Sequence, residues 1–503
     1  MHNQHQFRTP PAGAAPFAKS NIRAVACGFL AACALIASVL LQLMDTGRWV
    51  FAMVLAAVIL VDAALWFGYV AGKHESFALK AGFVALILHA FMPLFMCLAL
   101  PLDADYIFPW GDYIFKSPFQ AAFAFLAGPV AICLVLLTFS LIPSRQPGLP
   151  VRRMIDDSGA RFEWFLIFAA FLKLSIWFTV LLPGNPIFYL LRVLTYALTV
   201  VPFFAGYCAL KYKKATLAWV VTIGLSLLAS AYTGARGAAF YPAIYFLIGF
   251  FLGLRTHRER FSWGLIIGVP SVVMLGLLGV YIGLARDVVG RTDLRGAATG
   301  NRSVYDAALD SSVQREMLTK LQEGVAFKVF QRLALWPIPV IPAMTPDPIA
   351  YRGFSDITDE LKAATQLGMI SGQLNSGGIY FSNLYLKPYG FAVHASRYGQ
   401  VSNVEMPVFT DAFTRGGWIA GIIFLYLAYS VVYVAEQLLK RYLIVRYQCV
   451  FLILLSVLGT ISAVRINMEP LIDVVRATIL YGGFSLVTFY CFDRALSYIG
   501  VKR

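Results

Sequence analysis

Arg236 lies in a short link between two apolar segments, in the sequence Thr-Gly-Ala-Arg-Gly at residues 233–237. The two glycines let the backbone turn sharply and approach a ligand closely. The guanidinium carries five donors in a planar fork that matches phosphate oxygens. A helix that starts after the link adds free N–H groups and a positive dipole end. We predict that Arg236 binds a specific lipid phosphate; the alternative is contact with bulk lipid headgroups.

Three further charges interrupt apolar segments, namely Asp62, Lys173 and Arg192. Charges inside a membrane are costly and usually functional. Two interpretations are open for Asp62 and Lys173: they pair to hold two helices together, which is favoured, or they form a pathway for protons or ions. Arg192 either extends to the outer surface or lines a headgroup site.

Several sequence motifs that would indicate other chemistry are absent. The chain has no Gly-rich loop before a Lys-Ser or Lys-Thr pair, so ATP is not expected to drive its reaction. It has no HExxH motif and no paired CxxC motifs, and its 6 histidines are scattered. We therefore expect neither a metal nor a cofactor.

The composition determines which elements position these residues. Of 503 residues, 59% are hydrophobic and only 13% are charged, and the mean hydropathy is +0.72. A soluble domain has about a quarter of its residues charged, so most of this surface must face lipid. Lipid admits helices, because an unpaired backbone group is too costly there. The sequence therefore predicts an all-α polytopic membrane protein with the lipid bilayer as a partner.

Apolar segments long enough to span a bilayer recur along the chain, since a spanning helix needs about 20 residues. Twelve such segments are predicted, at residues 23–44, 50–71, 80–101, 119–142, 163–182, 187–209, 215–233, 238–254, 262–284, 417–438, 447–465 and 476–494. The links between them alternate between basic and poorly charged. Basic links stay in the cytoplasm, so both termini are predicted there. The net charge of +15 thus reflects topology, and nucleic acid is not expected as a partner.

This topology divides the chain into five parts. They are a cytoplasmic arm at 1–22, transmembrane helices 1–9 at 23–284, a large periplasmic loop at 285–416, transmembrane helices 10–12 at 417–494 and a cytoplasmic tail at 495–503. Within the loop, apolar residues at helical spacing predict an amphipathic helix over 311–336. Glycines and tyrosines at 377–390 predict turns or a short hairpin.

Two stretches resemble a known family. The sequence TGARGA at 233–238, followed by an apolar segment, is similar to the SGSRGA hairpin of Wzy-type oligosaccharide repeat-unit polymerases and O-antigen ligases, which belong to one superfamily. The sequence VFTDAFTRGGWIAGIIFLY at 408–426 resembles the stretch where those proteins re-enter the membrane after their large loop. Many spans, one large outer loop and internal termini also resemble their layout.

The resemblance implies a bacterial inner-membrane glycosyltransferase that polymerises repeat units at the periplasmic face. The donor and acceptor would be oligosaccharides linked to a polyprenyl pyrophosphate, with a chain-length regulator and a flippase as further partners. Fixed cations would stabilise the leaving pyrophosphate, and a base would accept the proton of the acceptor hydroxyl.

Site residues follow from these needs. The expected pyrophosphate-binding residues are Arg236, Arg286, Arg291, Arg332, Arg415, Arg465 and Arg476. The expected bases are Asp287, Glu405, Asp411 and His394, and the expected sugar-stacking residues are Tyr380, Phe381, Tyr385 and Tyr389. Each has a plainer alternative: a boundary anchor for the arginines, a solvated position for the bases, and the loop's own core for the aromatic residues.

Two other functions are alternatives. An O-antigen ligase would use the same donor and a different acceptor, but ligases carry a histidine-rich segment before re-entry, and the loop here has His394 alone. A transporter or flippase for a lipid-linked glycan would depend on Asp62, Lys173 and Arg192 instead of the outer arginines.

Overall fold

The computed structural model describes the greater part of the apolar sequence. The described residues are 15–42, 47–71, 76–99, 118–141, 159–175, 198, 201–233, 237–255, 274, 281, 310–322, 353–355, 357–358, 407–443, 448–467 and 471–498. Every regular element among them is a helix. The prediction of an all-α chain is confirmed for this part.

Thirteen α-helices are numbered here in chain order. They are α1 Ala15–Gln42, α2 Gly47–Leu65, α3 Phe77–Ala99, α4 Pro118–Phe123, α5 Ala127–Ser140, α6 Gly159–Leu174, α7 Val201–Tyr207, α8 Lys213–Thr233, α9 Gly237–Arg255, α10 Ser311–Gln322, α11 Val408–Leu443, α12 Gln448–Ala463 and α13 Leu471–Tyr498. A π-helix, Trp66–Val70, continues α2, and a 3₁₀ turn, Arg465–Asn467, follows α12.

Five stretches of these helices are long and apolar enough to cross a membrane: Ile22–Leu40, Gly47–Val70, Pro118–Ser140, Val408–Tyr442 and Cys449–Asn467. Each overlaps a predicted segment. Their apolar length confirms the membrane character of the chain. Predicted segments 187–209 and 262–284 lie largely outside the described residues, so the number of spans stays a prediction.

Residues 408–415, at the end of the predicted loop, are helical and form the first part of α11, before a break at Gly416 and Gly417. The bounds of the loop stay a prediction. The predicted amphipathic helix is present as α10, and the Asp310 carboxylate accepts a hydrogen bond from the Ser312 N–H at 2.9 Å. Its predicted continuation to 336 lies outside the described residues.

Glycines bring α7 and α9 into backbone contact. A Cβ atom on Gly249 would overlap the carbonyl oxygen of Phe203, and one on Gly206 would overlap that of Phe246. Gly253 faces the carbonyl of Tyr207 in the same way. Gly249 and Gly253 are four residues apart on one face of α9, the spacing at which small residues let membrane helices approach closely. This crossing fixes the helix that follows the Arg236 link.

Glu436 on α11 is fully buried and holds the beginning of α3. Its carboxylate accepts hydrogen bonds from the N–H groups of Phe77 and Ala78, at 2.7 and 2.9 Å, and from the Ser76 hydroxyl at 2.7 Å. The ammonium of Lys440 lies 2.9 Å from Oε1. A carboxylate here satisfies the free N–H groups of the first turn and the helix dipole. The contact joins α3 to α11.

Candidate functional site

The candidate site begins at a break within α11. Gly417 has φ 72° and ψ −162°, a conformation that side-chain-bearing residues rarely adopt. The segment before the break folds back on the segment after it. Phe409 and Phe413 place their rings 5.5 and 5.9 Å from that of Trp418, and Phe409 also lies against Gly421. Because of the break, residues 408–415 form a short helix that packs against the part of α11 after Gly417.

This short helix carries a buried ion pair. The Arg415 Nε lies 3.2 Å from the Asp411 Oδ1, and the two side chains are 1% and 3% exposed. The other end of the guanidinium donates from a terminal nitrogen to the Gly353 carbonyl at 3.3 Å. The next residue, Phe354, stacks on Phe424 of α11 at 5.6 Å. Arg415 and Phe424 thus hold a piece of the predicted loop against α11.

The ion pair changes the roles expected for its members. Asp411 was predicted as a base and Arg415 as a phosphate ligand, yet the structure joins them to each other. The Asp411 carboxylate is 3% exposed, and its Oδ1 is engaged by the guanidinium of Arg415. Asp411 is therefore best described as the residue that positions Arg415. Arg415 also donates a hydrogen bond to the carbonyl of Gly353, in the predicted loop.

A second buried arginine lies beyond α12. Arg465 opens the 3₁₀ turn Arg465–Asn467 and is 7% exposed. One of its terminal nitrogens donates to the hydroxyl of Tyr481 on α13, and its guanidinium carbon lies 5.0 Å from the centre of the same ring. The hydrogen bond and the ring contact together orient the guanidinium. An arginine held in this way can interact with an anion.

The turn that carries Arg465 is anchored deep along α11. The Tyr429 hydroxyl donates to Asn467 Oδ1 at 3.3 Å, and both side chains are buried. Tyr429 lies twelve residues after Gly417, about 18 Å along the helix axis. Phe424, which holds the loop segment, lies five residues before Tyr429, about 7.5 Å along the same helix. Both arginine groups are thus tied to one stretch of α11.

Buried hydroxyls on α11 and α12 add polar groups to this region of the bundle. On the described α11 and α12, four hydroxyl oxygens are buried and form no hydrogen bond: those of Thr410, Ser430, Thr460 and Ser462. A buried hydroxyl without a partner is costly.

The other predicted site residues are placed less fully. Arg476 lies on α13, but its side chain is not described. α8 ends at Thr233 and α9 begins at Gly237, so only residues 234–236 separate the two helices, and these three lie outside the described part. The following residues lie outside the described part: Arg236, Arg286, Arg291, Arg332, Asp287, Glu405, His394, Tyr380, Phe381, Tyr385 and Tyr389.

The charges predicted inside the membrane have different surroundings. Asp62 is fully buried on α2, and neither carboxylate oxygen accepts a hydrogen bond from the described residues. The favoured pair with Lys173 is therefore not formed as a hydrogen bond. Lys173 is buried on α6, where the nearby Thr222 hydroxyl of α8 donates to the Ala170 carbonyl at 3.3 Å. Arg192 is outside the described residues.

Sequence reasoning missed Tyr481, Asn467, Tyr429 and Glu436. Tyr481 follows Arg465 by sixteen residues and Asn467 follows Tyr429 by thirty-eight, so no local spacing connects them. Asn467 and Glu436 are polar residues in apolar segments, and that feature was available in the sequence as a signal.

Comparison of the chain with protein-family models, with curated proteins and with solved structures gave no match. No relative therefore supplies residue roles or a substrate. The functional proposal rests on the chain's own residues, on the geometry around Arg415 and Arg465, and on the resemblance of its two motifs.

Proposed function

We propose that the protein is a membrane-embedded glycosyltransferase that polymerises oligosaccharide repeat units linked to a polyprenyl pyrophosphate. The observation that carries the proposal is Arg465, a buried arginine oriented by Tyr481 at the end of an apolar helix. A cation fixed in this way suits a pyrophosphate whose lipid tail lies in the bilayer. The resemblance of residues 233–238 and 408–426 to repeat-unit polymerases supports the same chemistry.

The proposal includes the topology predicted from the sequence. The chain crosses the bacterial inner membrane twelve times, with both termini in the cytoplasm and residues 285–416 in the periplasm. Arg415 and Arg465 then lie in the outer half of the bundle, because α12 leads outward from its basic cytoplasmic link. A chain-length regulator and a flippase are its proposed partners.

The proposed reaction is balanced without a nucleotide or a metal. The acceptor hydroxyl oxygen forms a bond to the anomeric carbon of the donor, and the bond from that carbon to the pyrophosphate oxygen breaks. The hydroxyl proton passes to a base, with Asp287, Glu405 and His394 as the proposed positions. The polyprenyl pyrophosphate leaves with its charge stabilised by Arg465 and Arg236. Tyr380, Tyr385 and Tyr389 are proposed to contact the sugars.

The test is a transfer assay on the purified protein in nanodiscs, with lipid-linked repeat units and no nucleotide. The proposal expects a regular ladder of products on a gel. A single transfer to an added lipid acceptor, without a ladder, would replace it by the ligase alternative. Absence of any transfer would contradict the proposal.

One observation favours a second candidate, a transporter or flippase for a lipid-linked glycan. Asp62 is buried in an apolar helix with no hydrogen bond from the described residues, and such acids commonly serve ion-coupled transport. Flipping of a labelled lipid-linked glycan in sealed vesicles, lost in Asp62→Asn and kept in Arg465→Ala, would support this candidate over the polymerase.

A further inference from the structure

Three acidic side chains are buried in the described apolar helices, and they differ in what surrounds them. Glu436 accepts hydrogen bonds from one hydroxyl and two N–H groups and contacts Lys440. Asp411 is paired with Arg415. Asp62 is equally buried, yet within the described ranges neither of its oxygens has a hydrogen-bond donor. The first two environments stabilise a carboxylate, and the third does not.

Asp62 lies far from either end of its helix. It follows Gly47 by fifteen residues and precedes Ala71 by nine, about 22 and 13 Å along the axis. Asp62 therefore lies in the interior of the apolar stretch Gly47–Val70, away from both of its ends. The π-helix Trp66–Val70 begins one turn later, and such irregular turns occur often at functional sites.

The ionisable groups around α2 do not compensate Asp62. Cys133 on α5 interacts with it electrostatically, but a thiol cannot neutralise an anion. On the elements packed against α2, the other described ionisable side chains are Arg23, Cys27 and Cys33 on α1, Tyr69 on the π-helix, and Lys80, His89 and Cys97 on α3. None of them donates a hydrogen bond to Asp62. Arg23 instead lies 5.9 Å from the centre of the Phe67 ring.

A carboxylate without donors in an apolar interior is strongly disfavoured relative to its protonated form. We propose that Asp62 is a proton-binding site inside the membrane, where its carboxyl group is held as the neutral acid because it is buried and the described surroundings offer no hydrogen-bond donor. The ligand of this site is the proton itself. The inference does not depend on the glycosyltransferase proposal, because it rests on burial and on the absence of donors in the described surroundings.

The contrast between the three acids gives a chemical test with internal controls. A hydrophobic carbodiimide reacts with a protonated carboxyl inside a membrane: the acid proton moves to a carbodiimide nitrogen, and a carboxyl oxygen bonds to the central carbon. The adduct rearranges to an N-acylurea that retains every atom of both reactants. The full chain in nanodiscs is treated with dicyclohexylcarbodiimide at pH 7, and its peptides are analysed by mass spectrometry.

The expected result is one carbodiimide mass added to the peptide that contains Asp62, with the peptides of Glu436 and Asp411 unchanged. Asp62→Asn removes the addition. A water-soluble carbodiimide should instead modify the exposed Glu316. Modification of Glu436 to the same extent as Asp62, or no modification of Asp62, overturns the proposal.

Thermal unfolding of the same preparations gives a second measurement that does not depend on reagent access. Asparagine matches a neutral aspartic acid in size and polarity, so Asp62→Asn should leave the Tm unchanged. Glu436→Gln, which removes a charge held by four donors, should lower it clearly. A fall in Tm for Asp62→Asn as large as that for Glu436→Gln would mean that Asp62 is a paired anion and would overturn the proposal.

Discussion

Tyr481 and Arg465 form the contact on which the proposed binding of pyrophosphate depends. The phenol orients a buried guanidinium through a hydrogen bond and through its ring face. The proposed pyrophosphate contact needs this orientation, because a guanidinium binds phosphate through a planar fork.

Tyr481→Phe tests this orientation without removing the ring. The hydrogen bond to a charged group contributes about 1.5–3 kcal/mol, so we expect the rate of glycan transfer to fall roughly 10–100-fold. The rate is measured from the product ladder under substrate saturation. Tyr490→Phe is the matched control, because the Tyr490 hydroxyl accepts a hydrogen bond from Arg494 at 3.1 Å on the exposed part of α13. Equal rates for the two variants would show that orientation of Arg465 is unimportant.

Glu436 gives a stability prediction at the same scale. Glu436→Gln leaves the buried Lys440 without its anion and weakens the cap of α3, and breaking a buried pair costs about 3–5 kcal/mol. We expect a clear fall in Tm in detergent. The double variant Glu436→Gln with Lys440→Met should recover part of that loss. Glu316→Gln on the exposed face of α10 should leave the Tm unchanged, and a similar fall there would refute the assignment.

At the scale of single helices, two glycine features position the site. Gly417 breaks α11 and turns residues 408–415 back along it, while Gly249 lets α9 touch α7. The first feature locates Arg415, and the second locates the start of the helix that follows Arg236. Gly417 is required for its backbone conformation, and Gly249 is required because a side chain would not fit between the two helices.

Gly417→Ala places a Cβ on a residue with φ 72°. Such a conformation costs a side-chain-bearing residue about 1–3 kcal/mol, and relief of the strain would move Arg415 from its loop contact. We expect reduced stability and reduced transfer activity together, measured by thermal unfolding and the ladder assay. Gly483→Ala on α13 is the control, because nothing lies within 4 Å of the added Cβ. Normal activity in Gly417→Ala would disprove the role of the break.

Gly249→Ala drives a methyl group into the carbonyl oxygen of Phe203. Such overpacking lowers the free energy of unfolding by about 1–3 kcal/mol. The two helices, α7 and α9, must move apart to relieve it. Gly224→Ala on α8, where a Cβ meets nothing within 4 Å, should instead raise stability by up to about 1 kcal/mol, because alanine is the better helix former. In thermal unfolding we expect Gly249→Ala to lower the Tm and Gly224→Ala to raise it. A change of Tm in the same direction for both variants would contradict the close crossing of α7 and α9.

At the scale of the whole molecule, the sequence predicted elements far better than contacts. Apolar length identified α2, α8 and α9 to within a few residues, because a membrane span depends on local composition. The ends of α8 and α9 also located the Arg236 link. Those predictions needed no knowledge of the partner helices.

The sequence identified several residues of the site, but it did not identify the residues that they contact. Arg465 was predicted as a pyrophosphate-binding residue, but its contact with Tyr481 depends on how α12 meets α13. Asp411 was predicted as a base, whereas helical spacing places it four residues before Arg415 and makes it an ion-pair partner. Asp62 was expected to meet Lys173, and only the packing of α2 revealed otherwise. The surroundings of Arg465 and Asp62 are set by tertiary contacts that no local pattern records, whereas the pair of Asp411 and Arg415 has the local i,i+4 spacing of a helix.

Two arginines, compared in the same assay, test most directly whether a buried cation stabilises the leaving pyrophosphate. Arg465→Ala removes the buried cation, and Arg494→Ala removes an exposed arginine that contacts a tyrosine in a similar way. Loss of one donor to a developing anion lowers kcat by about 10²–10³-fold. The account predicts that the nucleotide-free glycan ladder disappears in Arg465→Ala and persists in Arg494→Ala, with both proteins folded by thermal unfolding. A full ladder from folded Arg465→Ala would contradict it.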